Sequence, residues 1–369
     1  MPKVSLVVCL YNERDLLDRL LQHADGCYDD LVVVHDGPEQ PEAAQCEMAN
    51  AECEIDGNRP DPKSKIQNPS SLSAGEVFVP SHRWPEMAVD FSVPEEAAKA
   101  ARFWKEKTGT PEPGSTHELV AKNGGRFFEG PRCWQQEPHW PFAWSQAKHD
   151  WILRLDADEF PSGEMTEWLK TFRNATGSSK NASGYTCIWP LWNGKKALNT
   201  AWPNDRNFLF DKRSIRIAGM VEMVPYADTE FKALGITLHH TPKRKSFGYR
   251  NIVLRKQAYR WRRVIALSLL DRPTNLPRWR WTTPEWPQPF LRIRDHPIRY
   301  SVECLFVCPR FGLKSLLKNK MWSVLYSFPG SHWHHALICW DFLLLKTRST
   351  GRLAHRNVPF NATSLTSFL

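Results

Sequence analysis

The sequence predicts an α/β chain built on an open, largely parallel sheet, and three observations carry that expectation. Two short, predominantly apolar runs, Val4–Leu10 and Leu31–Val34, flank a segment whose Leu16, Leu17, Leu20, Leu21 and Ala24 share one helical face. Strand, helix and strand at this spacing form a right-handed βαβ unit. A third apolar run, Trp151–Leu155, stops abruptly at three acidic groups, Asp156, Asp158 and Glu159. Ligands of open α/β sheets bind just beyond the carboxyl ends of such strands.

The elements follow in order. After the first strand, Tyr11-Asn12-Glu13 opens the helix, and the second strand ends in His35-Asp36-Gly37-Pro38, a turn composition. From Glu39 to about Pro113 the chain is rich in Pro, Ser, Asn and Glu and reads as an insertion. One helix is expected inside it, with Ser92 and Glu95 as a capping box, Pro94 in its first turn and Ala97 to Trp104 continuing it. A short helix over His117–Asn123, a strand over Gly125–Phe128 and a helix over Trp140–Lys148 lead to the acidic strand. Beyond it, Tyr185–Trp189, Asn207–Phe210, Ser214–Ile217 and Ile236–His239 read as strands. Tyr249–Leu270 reads as a long basic helix and 271–300, crowded with Pro, Trp and Arg, as irregular chain. Two helices, Leu305–Phe328 and Trp333–Lys346, are separated by Pro329-Gly330. The expected division is a sheet domain over 1–270, with the insertion at 39–113, and a basic, Trp-rich helical region over 271–369.

At 369 residues the chain can bury a full core. Its net charge of +9 is uneven: residues 232–320 hold about 20 Lys or Arg against about four Asp or Glu. Such a basic half implies an anionic partner, phosphate or anionic lipid. A nucleic-acid partner is not expected, because no recognisable nucleic-acid module accompanies the charge. The nine cysteines form no framework and read as reduced thiols. With a strand beginning at Val4 and no apolar run of spanning length, a cytoplasmic protein is expected. Lys314, Lys318 and Lys320 beside Leu316, Leu317, Trp322 and Leu325 fit a helical surface resting on the inner face of an anionic membrane, or equally a cap on the first domain.

Carboxylates crowded at a strand end repel unless a cation neutralises them. A hard divalent ion with open positions for phosphate oxygens does so. The residues therefore point to a metal-assisted transferase acting on a nucleotide-activated donor.

Val4-Ser5-Leu6-Val7-Val8 with Tyr11-Asn12-Glu13, then Val34-His35-Asp36-Gly37, then Trp151–Glu159, resemble the family-2 glycosyltransferases of the GT-A fold. The nearest type is the bacterial lipopolysaccharide-core glucosyltransferase, whose strand likewise ends in Asp-Ala-Asp-Glu. The resemblance covers about 3–38 and 115–270. It departs from the family where the insertion follows Pro38, where Trp140-Pro141 replaces an Arg-Asn pair, and where Val221-Glu222 replaces a His-Glu pair. It implies an inverting enzyme that moves a sugar from a nucleotide-diphosphate sugar, with Mn or Mg, to a hydroxyl of a glycan or glycolipid in the cell envelope.

The resemblance also assigns roles. Asp158 contacts the metal, Asp156 the ribose or sugar, and Asp36 the base or ribose. Asn12 and Glu13 cap their helix or touch the nucleotide. His239 and His240 contact metal or phosphate, with Lys243 and Arg244 behind them for the diphosphate. Glu222 is the expected general base and Glu159 its alternative, since a carboxylate in a water-poor cleft suits that task. Trp189, Trp192 and Trp202 stack on sugar or pack in the core. Two rival readings stay open: a nucleotidyltransferase, which lacks support because no Gly-rich loop follows the first strand, and a non-catalytic glycan- or membrane-binding protein on a degenerate domain.

Overall fold

The computed structural model describes residues 1–39, 87–88, 102–131, 136–175, 182–192, 197–198, 206–216, 225–227, 229, 231–241, 262–270, 279–280, 288–319 and 330–347. Nine strands make one mixed sheet: β1 (Val4–Leu10), β2 (Asp30–His35), β3 (Lys105–Glu106), β4 (Arg126–Glu129), β5 (Trp151–Arg154), β6 (Glu159–Pro161), β7 (Gly184–Ile188), β8 (Arg206–Asp211) and β9 (Lys232–His240). Their order is β3-β4-β2-β1-β5-β8-β7-β9-β6. The four strands β4, β2, β1 and β5 are mutually parallel; β8 then turns antiparallel to β5 and to β7. The sheet is thus α/β and compatible with a Rossmann-like fold, with more antiparallel pairing in its second half than the apolar runs alone predict.

β1 is buried along its whole length because helices cover both faces, so alternation has no polar side to show. Its even residues Val4, Leu6, Val8 and Leu10 join a core with Leu17, Leu20 and Leu21 of α1 (Arg14–His23) and Met165, Leu169 and Phe172 of α4 (Gly163–Asn174). Its odd residues Val7 and Cys9 join a second core with Trp140, Phe142 and Trp144 of α3 (Trp140–Gln146). Between them, α2 (Thr116–Lys122) starts at Ser115, whose hydroxyl accepts from the Glu118 amide at 3.0 Å. At the amino-terminal edge, Ser5 Oγ donates to Asp30 at 2.9 Å and the same carboxylate accepts from the Lys148 amide at 2.9 Å, which pins β1, β2 and the entry to β5.

Four helices bury a third core: α5 (Arg262–Leu269), α6 (Gln288–Asp295), α7 (Pro297–Asn319) and α8 (Gly330–Thr347). α5 contributes Ile265 and Ala266 to this core, so the helical region starts before residue 270 in packing terms. The stretch 271–300 is not irregular where it is described: α6 and the start of α7 lie in it. Its prolines do not mark irregular chain there, since Pro289 and Pro297 sit in the first turns of helices, where a missing N–H costs nothing. α4 was likewise unforeseen, although Ser162 caps it through the Met165 amide at 3.2 Å. Five described cysteines, Cys9, Cys27, Cys187, Cys304 and Cys339, are buried free thiols. Among the described residues no helix is long and apolar enough to cross a membrane. The expected helix around Ser92, most of the basic helix from Tyr249 and the C-terminal tail lie outside the described residues.

Candidate functional site

The strand order fixes where a ligand can sit. From β1 the chain crosses through α1 to β2 on one side, while β5 flanks β1 on the other. The carboxyl ends of β1 and β5 therefore face the crevice where the winding reverses. Asp36 ends β2 at one side of this point, and Asp156 to Glu159 end β5 at the other.

The acidic turn is closed on itself. The Glu159 amide donates to the Asp156 carbonyl at 2.9 Å, and the Asp156 amide donates to Glu159 Oε2 at 2.9 Å. β8 runs antiparallel with Leu209 opposite Leu153, which carries Arg206 out to the level of the turn. Its Nη2 lies 2.8 Å from both Asp156 Oδ2 and Glu159 Oε2. Burial alone would raise the Asp156 carboxyl, but the charges of Arg206 and Arg154 outweigh it and hold it below the usual carboxylate range. Glu159 is fully buried, and burial with the Asp156 charge raises it despite Arg206. Glu159 thus braces the turn through the Asp156 amide and Arg206.

β6 pairs antiparallel with β9, setting His240 opposite Glu159. The Thr241 amide donates to the Asp158 carbonyl at 3.0 Å, and His240 Nε2 lies 3.3 Å from Asp158 Oδ2. Burial by itself would lower the His240 imidazole, yet the bond to Asp158 and the charges of Asp158, Glu159 and Asp156 raise it. Trp189 stacks on this imidazole with ring centroids 4.4 Å apart. Adjacent residues of a strand point to opposite faces. His239 is accordingly exposed, rests on Phe160 at 5.2 Å and is not brought to Asp158.

The Asp36 side is held by a chain of donors. The Trp104 indole N–H donates to His139 Nδ1 at 3.0 Å, and His139 Nε2 meets Asp36 Oδ1 at 3.0 Å. An indole can only donate, so His139 carries its proton on Nε2 and gives it to Asp36. His35 obeys the same logic: the Asn12 amide donates to its Nε2 at 3.2 Å, so its Nδ1–H donates to the Gly37 carbonyl at 2.7 Å. Asn12 sits in left-handed backbone with φ 50°, the one such non-glycine among the described residues, and its Oδ1 is buried with no hydrogen-bond partner. Strain of this kind gathers at functional sites. Glu13 begins α1 but its side chain makes no capping bond.

Buried side-chain atoms without a hydrogen-bond partner gather here. They include Asn12 Oδ1, all three Arg154 guanidinium nitrogens, Glu159 Oε1, Trp189 Nε1, Arg206 Nε and His240 Nδ1. Native interiors leave few such atoms, and a ligand group explains their crowding. The donor chemistry of Asp158 and His240, one carboxylate and one imidazole side by side, fits a divalent ion whose remaining positions go to phosphate oxygens and water. Among the described residues no group of three or more His, Cys, Asp or Glu side chains is placed to hold a metal.

The structure therefore brings Asp156, Asp158, Glu159 and His240 together, with Asp36 and Asn12 at the neighbouring strand ends. Glu222, Lys243, Arg244 and Trp202 lie outside the described residues. Arg154, Arg206, His139, His35 and Trp104 were not foreseen from sequence. No protein-family profile matches the chain, and no curated protein sequence matches it.

Proposed function

We propose that the chain is a family-2-type glycosyltransferase of GT-A fold. It would transfer a sugar from a nucleotide-diphosphate sugar to a hydroxyl of a glycan or glycolipid, probing the cytoplasmic face of the membrane for its acceptor. The observation that carries this reading is the turn at Asp156–Ala157–Asp158 beyond β5, its first carboxylate locked by Arg206 and its second facing His240. Asp36, fixed by His139, accepts from the base or ribose; Asn12 and Glu13 follow the neighbouring strand, β1.

Asp158 and His240 would hold Mn or Mg, which when bound offsets the negative charge that grows on the departing diphosphate. Asp156, kept ionised, orients ribose or sugar hydroxyls. The acceptor oxygen bonds to the anomeric carbon on the face opposite the leaving group, the carbon–phosphate-oxygen bond breaks, and the hydroxyl proton passes to a carboxylate. Glu222 is assigned that base role from the sequence resemblance. The single displacement, and the inversion that comes with it, are taken from the sequence resemblance.

The test is a panel of sugar nucleotides in thermal-shift measurements with Mn, Mg or EDTA, on wild type and Asp158→Ala. A metal-dependent shift by one nucleotide class, lost in the variant, supports the reading. No shift by any donor, in folded protein, moves it to a binding protein on a degenerate transferase domain.

A further inference from the structure

Arg154 is the last residue of β5, paired in register with Val7 of β1, and only 1% exposed. None of its three guanidinium nitrogens has a hydrogen-bond partner. Its guanidinium carbon lies 4.5 Å from the centre of the Trp140 ring, stacked on the face. Face-on stacking occupies the π surface and leaves the in-plane N–H donors unused. Burial, and then the like charge of Arg206, lower its pKa to about 10, so it remains a cation at neutral pH. A buried cation with donors unmatched is costly and persists only where something else repays it.

The neighbours place this cation. Burial, then the charges of Asp156 and Asp36, push the Cys9 thiol up, while Arg154 acts on it in the opposite sense. Arg154 ends β5 beside Val7 of β1, two residues before Asp156, at the reversal of winding. Asp156 does not satisfy it, because the Asp156 carboxylate is bonded to Arg206. Asp156, two residues further on, keeps 21% of its side chain exposed, so the strand end is open at that residue.

We propose that Arg154 is the phosphate-recognising side chain of this site, its guanidinium edge taking diphosphate oxygens of a nucleotide ligand bound at the ends of β1 and β5. Planar bidentate pairing of this kind is the geometry at which arginine exceeds lysine. The inference rests on the nucleotide-sugar reading only for the identity of the ligand; the anion site itself can be tested without a sugar and without a metal.

The experiment is calorimetric titration with inorganic pyrophosphate and with UDP, GDP, CDP, ADP and dTDP, in EDTA, on wild type, Arg154→Met and Arg154→Lys, with melting temperatures of the unliganded proteins. Wild type is expected to bind pyrophosphate or a nucleoside diphosphate, and Arg154→Met to lose about 10- to 100-fold in affinity. Unliganded Arg154→Met is expected to melt at or above the wild-type temperature, because an unmatched buried charge has gone. Arg154→Lys, which keeps the charge and loses the fork, is expected to lie between; it also serves if the methionine variant does not fold. No binding of any of these anions by wild type overturns the proposal. So does wild-type affinity in Arg154→Lys or in folded Arg154→Met, as does a melting temperature lowered by several degrees with affinity intact. Anion binding lost in Arg154→Met, with no sugar nucleotide turned over, upholds this site while removing the transferase reading.

Discussion

Replacing Arg206 by Met removes a cation that both Asp156 and Glu159 touch, at 2.8 Å each. Glu159 is fully buried and Asp156 largely so, and breaking a buried pair from one side costs about 3–5 kcal/mol because the partner is left uncompensated. For a chain of this size a change of 1 kcal/mol moves the melting temperature by about 2 °C, so a fall of about 6–10 °C is expected at pH 7. The pH dependence has a definite sign. In wild type Asp156 is held below its unfolded value, so its contribution is present at neutral pH and lost only as pH falls through the lower, folded value. In the variant both carboxyls titrate upward, and protonation relieves the penalty as pH drops toward about 4.5. The deficit should therefore shrink between pH 7 and pH 4.5. Adding Glu159→Gln, which removes one charge but can still accept from the Asp156 amide, should restore about 1–2 kcal/mol. The measurement is thermal unfolding followed by circular dichroism. A loss under about 1 kcal/mol, or one equal at both pH values, would refute the reasoning.

Three further outcomes are expected. His139→Phe leaves the Trp104 indole N–H buried without its acceptor and removes a donor from Asp36, so stability should fall by about 1–3 kcal/mol and nucleoside affinity with it, as read by melting and titration. Asp29 bonds Arg173 and the Val4 amide; burial opposes this, but the bonds win and hold its carboxyl below the usual range. That stability exists above the unfolded value of about 3.9 and is lost as pH falls through the folded one, so Asp29→Asn should weaken the protein at pH 6 and flatten its acid-unfolding curve. On α7, Ile298, Val302, Phe306, Leu313 and Leu317 form an exposed apolar stripe, with Phe306 78% and Leu317 72% exposed. Phe306→Glu with Leu317→Glu should abolish sedimentation with anionic vesicles while leaving the sheet domain folded; unchanged sedimentation argues against membrane contact through this face.

Predominantly apolar runs made β1, β2 and β5 legible, because strands buried on both faces show no polar alternation. The helix expected over His117–Asn123 lies one residue from α2, which starts at Thr116 after the Ser115 cap. α4 carries Met165, Leu169 and Phe172 at helical spacing, but it begins only two residues after the acidic turn and β6, so its start is hard to read from the sequence. α6 was missed because its buried Phe290 and Ile293 are surrounded by Arg and Pro. Within the site, Asp156, Asp158 and Asp36 were legible because each ends an apolar run. Arg206 and His139 were not, because their partners lie 47 and 103 residues away and only sheet register and helix packing bring them together. His239 and His240 could not be told apart until the pairing with β6 showed which one faces Asp158.

The central claim is that the turn after β5 is a metal-assisted nucleotide-sugar site. Its most direct test is nucleoside-diphosphate release from a panel of sugar nucleotides, with membrane glycolipid extract as acceptor, comparing Mn with EDTA and wild type with Asp158→Asn. The account predicts release from one donor class that requires the metal and falls about 100-fold or more in the variant. Release that is unaffected by EDTA and by Asp158→Asn would contradict it.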